Sequence, residues 1–157
     1  EQYQARISGP LLDRIDLQIE VPAVSAADLS LPAASESSAE VRTRVIAARR
    51  RQHERLSAHA AAEGRGATGP RGVLRGPRTN AETSGALLEK IAALDAEGLA
   101  LLRDAAGTLG LSARGYHRAL KVARTLADLD GQDGVGRGHI AEALSYRGET
   151  LRQRQAA

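Results

Sequence analysis

Ser112 is followed by apolar side chains at Tyr116, Ala119, Leu120, Ala123, Leu126 and Ala127, and the run stops at Gly131. The i, i+3, i+4, i+7 spacing puts all six on one face of an α-helix, and that face has to be buried against other elements. Leu111 and Tyr116 flank the cap as a hydrophobic staple, and a glycine at the far end suits a left-handed closing residue. What the stripe packs against is limited by composition. The chain of 157 residues has no Phe, Trp, Met or Cys, so its interior is built from Leu, Ile, Val and Ala. Such side chains suit close helix packing rather than a large ligand pocket.

The same absence of cysteine removes disulfides and thiolate metal sites, and the histidines form no i, i+4 pair of the zinc type. No apolar run approaches the roughly 18 residues of a membrane span, and no signal-peptide pattern opens the chain, so a cytoplasmic protein without a membrane partner is expected.

Other helices are legible around the central one. Ser37-Ser38-Ala39-Glu40 is a capping-box pattern, followed by Val41, Val45, Ala48 and Gln52 on one face of a helix reaching about Ala62. Asn80 reads as the cap of a helix with Leu87, Leu88, Ile91 and Leu94. Asp95 caps another, with Leu94 and Leu99 as its staple, Leu102 and Ala106 continuing its stripe, and Gly107 or Gly110 stopping it. A last helix from about Gly138 to Glu149 buries Ile140, Ala143 and Leu144. Upstream, Ile15, Leu17, Ile19 and Val21 alternate with Arg14, Asp16, Gln18 and Glu20, the period-two pattern of a half-buried strand over 14–21. Taken alone it has no sheet to join, and a single strand cannot satisfy its backbone groups, so it is expected to be disordered or wrongly paired.

The expected organisation is therefore mainly α. Residues 1–36 hold a stray strand and a small-residue linker, residues 37–151 a helical bundle interrupted by a flexible Gly/Arg/Pro loop at 64–79, and residues 152–157 a disordered tail.

Net charge is only +3, but the basic residues are concentrated. Arg42, Arg44, Arg49, Arg50, Arg51, Arg55, Arg65, Arg71, Arg75 and Arg78 face Glu54 and Glu63 alone in that stretch. An electropositive arm of this kind suits phosphate backbones, with Arg42, Arg49, Arg50, Arg51 and Arg55 as candidate nucleic-acid contacts. No aromatic residues interleave to stack bases, and an arginine-rich solvated helix face explains the same pattern.

Gly9-Pro10-Leu11-Leu12-Asp13-Arg14-Ile15-Asp16-Leu17, Ser112-Ala113-Arg114-Gly115-Tyr116-His117-Arg118 and His139-Ile140-Ala141-Glu142-Ala143-Leu144-Ser145-Tyr146-Arg147 together resemble the magnesium-chelatase-like AAA+ ATPases, in the branch associated with competence. The resemblance implies that the bundle is the AAA+ C-terminal lid and that residues 14–21 are the last strand of the ATPase sheet. It makes Arg14 the arginine finger reaching a neighbouring subunit's ATP, and Arg114 the sensor arginine for the subunit's own γ-phosphate. Arg114 falls in the first turn of a capped helix, where free N–H groups and the helix dipole already favour an anion. Arg118 and Lys121 share its face, and Arg118 is a further candidate phosphate contact. Each of these arginines, like His117 beside them, also fits a plain solvated surface role. The chain has neither a G-x-x-x-x-G-K-[ST] loop nor an apolar strand ending in Asp-Glu, and it opens on Glu1-Gln2-Tyr3-Gln4. It therefore reads as a C-terminal fragment that is inactive alone and binds no cofactor. ATP and Mg²⁺, an N-terminal ATPase core, a homo-hexamer and DNA are implied for the intact protein. The alternatives are the chelatase subunit that drives metal into a porphyrin, and a basic helical module that binds nucleic acid without ATP.

Overall fold

The computed structural model describes residues 11, 14–19, 21, 23–25, 30, 36–64 and 76–147. Within them lie five α-helices: α1 (Ser38–Ala62), α2 (Gly85–Ala92), α3 (Ala96–Thr108), α4 (Ala113–Leu129) and α5 (Arg137–Ser145), with a 3₁₀ turn at Asn80–Glu82 before α2. The architecture is a helical bundle centred on α4, which packs against α1, α2 and α5, while α3 packs on α5.

The caps form where the sequence places them. The Ser37 amide donates to Glu40 Oε2 at 2.6 Å, and the Glu40 amide donates to Ser37 Oγ at 3.3 Å. Asp95 Oδ1 accepts from the Gly98 amide at 2.6 Å to start α3, and Ser112 Oγ accepts from the Gly115 amide at 3.0 Å to start α4. Each satisfies an N–H that the first helical turn leaves unpaired. α5 is opened differently: His139 Nδ1 accepts from the Gly136 amide at 3.0 Å, and its Nε2 lies 3.1 Å from Asp130.

The core joins Leu88 and Ala92 of α2, Leu102 of α3, Ala119, Leu120, Ala123 and Ala127 of α4, and Ile140 and Ala143 of α5. Three alanines on the buried face of α4 let its neighbours approach closely, as a chain without large aromatic core residues requires. At the end near the α4 C-terminus the loops before α3 and α5 are stitched together. The Asp95 amide donates to Val135 O and the Val135 amide to Ala93 O, each at 3.2 Å, with Leu94 and Val135 forming a parallel bridge.

Four expectations change. Asn80 is not a helix cap: Ser84 precedes α2, and Asn80 is buried in the 3₁₀ turn, where its side chain donates into the core. Val41 and Val45 remain exposed, because α1 reaches the bundle only from Ala48 onward, through Ala48, Gln52 and Leu56. α5 ends at Ser145 rather than near Glu149, which lies outside the described residues. Residues 14–19 form no strand; they run as irregular chain against the bundle, with the Gln18 amide donating to Tyr146 O at 2.8 Å. No strand partners this segment among the described residues. Residues 65–75 of the expected loop and the whole of the expected tail lie outside the described residues.

Candidate functional site

The N-terminus of α4 is the most chemically distinctive surface of the bundle. Ser112 sets the first turn, and Arg114 follows at the second helical position, exposed and making no ion pair among the described residues. The dipole of a 17-residue helix and a guanidinium without an ion pair among the described residues thus converge on one point. Gly115 lies beneath. A Cβ there would stand 3.5 Å from Arg147 Nη2 and 3.4 Å from Ser112 Oγ, so the first turn rests directly on Arg147, which is buried.

Arg118 and Lys121 continue the face but are engaged. Arg118 pairs with Asp16, and Lys121 Nζ donates to Ala81 O at 2.9 Å. His117 lies 3.7 Å from Glu89 and edge-on to Tyr116. Arg14 is exposed, its side chain making no ion pair among the described residues, while its amide donates to Leu11 O at 2.9 Å. The structure thus brings the segment of Arg14 against α4 through Asp16 and Arg118.

The arginines of α1 divide into two groups. Arg42 and Arg49 are exposed without an ion pair among the described residues, and Arg50 makes only a surface pair with Glu54 at 2.9 Å. Arg51 reaches Asp133 at 3.5 Å. Arg55, also a candidate nucleic-acid contact, turns inward to Asp128 and Asn80 and anchors α1 on α4. Its position explains this, since Arg55 adjoins Leu56 and lies three residues beyond Gln52, both on the buried face of α1.

Sequence reasoning missed the network that Arg55 joins. Asp128 accepts from Arg55, from Arg124 Nη2 at 3.0 Å and from Asn80 Nδ2 at 2.8 Å. Arg124 is fully buried and also donates to Gln132 O at 2.6 Å and Asp133 O at 2.5 Å, holding the turn after α4. Burial pushes the Arg124 guanidinium below its usual range, and Asp128 opposes that push. The available signal was the i, i+4 spacing of Arg124 and Asp128 inside the apolar stripe.

Among the described residues no group of three or more His, Cys, Asp or Glu side chains could hold a metal ion, and no helix is long and apolar enough to cross a membrane.

Comparison with known proteins places this helical bundle in a family. Residues 35–147 match the C-terminal domain of magnesium chelatase subunit ChlI, and residues 1–29 match the ChlI subunit model that precedes it. The chain belongs to the magnesium chelatase ChlI C-terminal family. It is 39% identical over 147 residues to the protein YifB of Salmonella typhimurium and 37% identical to the competence protein ComM of Haemophilus influenzae, in each case over 93% of this chain. A Mycobacterium tuberculosis protein is 38% identical over 146 residues. The chain spans about a quarter of the length of these relatives, 25% for the first two and 26% for the third.

Proposed function

We propose that this chain is the nucleotide-sensing lid of an ATP-driven ring motor. Arg114 reads the γ-phosphate of the ATP held by its own subunit, and Arg14 reaches the ATP of the next subunit, where a guanidinium stabilises the charge that develops during cleavage. The intact protein binds ATP and Mg²⁺ through an N-terminal ATPase core, assembles as a homo-hexamer and acts on DNA. Arg42, Arg49 and Arg50, exposed on α1, contact the DNA backbone.

The observation that carries this reading is Arg114. It is exposed, free of ion pairs among the described residues, and placed on a helix start that already favours an anion. A buried or ion-paired arginine would have to break contacts before meeting a phosphate, and this one would not. Membership of the chelatase-type family and likeness to a competence protein support the motor and its DNA substrate.

The test is ATP turnover by the intact protein. Arg14→Ala is expected to lower kcat by on the order of 10³-fold, the scale of a lost arginine finger. Arg114→Ala is expected to lower kcat/KM by at least about tenfold, one charge-assisted hydrogen bond of about 1.4 kcal/mol or more. If both variants turn over ATP at the parent rate, the reading fails. Salt-sensitive DNA binding that persists undiminished in both, without ATP, would favour the basic module instead.

A further inference from the structure

Arg14 and Arg114 sit on different elements, and the described contacts between those elements fall next to both. Asp16, two residues after Arg14, pairs with Arg118, one turn after Arg114. Arg147 Nη1 donates to Ile15 O at 3.4 Å, and Nη2 of the same side chain lies against Gly115. Ile15 directly follows Arg14, and Gly115 directly follows Arg114. One buried guanidinium thus bonds the carbonyl of Arg14's neighbour Ile15 and fills the space beside Arg114's neighbour Gly115, where an added Cβ would stand 3.5 Å from it. The Gln18 amide adds a third tie, to Tyr146 O beside Arg147.

Apolar packing alone does not fix the register of this segment. Leu17 is 48% exposed and Ile19 68% exposed, although both line a groove of about 350 Å³ with Val122, Leu126 and Tyr146. Side chains left half in water tolerate sliding, whereas a guanidinium fork meeting a carboxylate or a carbonyl does not. The polar contacts therefore determine where residues 14–18 lie on α4.

We propose that Asp16–Arg118 and Arg147 form a tether that makes the segment of Arg14 move with the helix of Arg114. Occupancy of a subunit's own nucleotide site then sets the reach of its finger into the neighbouring site. In this arrangement Arg118 and Arg147 are positioning residues, and Arg118 acts through Asp16 rather than through phosphate. The proposal rests on the functional reading above, and it gives the coupling two physical ends and a defined connection between them.

A charge swap in the intact protein tests it. Asp16→Arg and Arg118→Asp are made singly and together, with two readouts: the Hill coefficient for ATP and hydrogen exchange at the Gln18 amide. Each single change is expected to bring the Hill coefficient to about one and to speed Gln18 exchange about fivefold, the scale of one part-exposed ion pair. The double swap is expected to restore both, because the pair is re-formed with reversed sign. Arg147→Lys keeps the charge but loses the fork, and should speed Gln18 exchange by a similar factor. The proposal is overturned if the swap restores neither readout, or if Arg118→Ala raises KM for ATP tenfold while Gln18 exchange is unchanged, which would make Arg118 a phosphate contact. Gln18 exchange reports the tether whether or not Arg14 and Arg114 serve ATP hydrolysis, so the two readings fail separately.

Discussion

Replacing Asp128 by Asn should unfold much of what holds α1 and the turn after α4 in place. The carboxylate accepts from Arg55, from Arg124 at 3.0 Å and from Asn80 at 2.8 Å, and it is 1% exposed. An asparagine keeps the shape but removes the charge and, with its oxygen left at the Oδ1 position, turns a donor toward Arg55 and the Asn80 amide. Arg55 retains some exposure and can recover water, whereas Arg124 is 0% exposed and keeps only the carbonyls of Gln132 and Asp133. Removing one partner from a buried pair costs about 3–5 kcal/mol, against a total of about 5–15 kcal/mol for a domain. Arg55→Ala leaves Asp128 with Arg124 and Asn80, so its cost should be nearer 1–2 kcal/mol, the scale of charge-assisted hydrogen bonds. Urea unfolding followed by circular dichroism reads the difference. With a slope of roughly 1.5 kcal/mol per M, Asp128→Asn should lower the midpoint by about 2–3 M and Arg55→Ala by about 1 M. A midpoint shift below about 0.5 M for Asp128→Asn, or a larger shift for Arg55→Ala than for Asp128→Asn, would refute the assignment of Asp128 as the centre of the network.

Two further outcomes follow from local geometry. Gly98→Ala should destabilise the bundle by about 1–3 kcal/mol, because the added Cβ would lie 3.0 Å from Asp95 Oδ1, 3.2 Å from Val135 O and 3.3 Å from the Gly136 carbonyl carbon; a thermal midpoint equal to the parent's would contradict this. The backbone amide and then the hydroxyl of Ser37 hold the Glu40 carboxyl below its ordinary value. That contribution to α1 is complete above the usual glutamate value of about 4.3 and is lost as pH falls through the lower folded-state value. Amide exchange at Ser37 and Glu40 should accelerate on acidification below that range beyond the intrinsic trend, and should not in Glu40→Gln, whose amide keeps the box without titrating.

The helical frame could be read from the chain because its signals are local. Ser112, Asp95 and Ser37 cap where their spacing places them, and the stripe from Tyr116 to Ala127 becomes the buried face of α4. Long-range pairing left no such trace. Asn80 has the side chain of a cap, but the same amide serves a buried carboxylate 48 positions away, and nothing near it distinguishes the two uses. Arg55 and Arg124 count as polar in any periodicity, so their inward orientation emerges only once Asp128 is placed between them. For the site, Arg114 is exposed on a helix N-terminus as its cap implies, whereas the pairing of Arg118 with Asp16 joins residues 102 positions apart and needed the fold to be seen.

The bundle is secured at the far end of α4 from Arg114, by the Asp128 network and by the bridge between Leu94 and Val135. Because α4 is also buried along its length, through Ala119, Leu120, Ala123 and Ala127, it turns only together with the bundle. From Asp128 to Arg114 the helix runs about 21 Å, so a tilt of only about 3° displaces the arginine by about 1 Å. A shift of that size is enough to make or break a contact with an oxygen, so a small turn of the whole bundle can change the grip on a ligand completely.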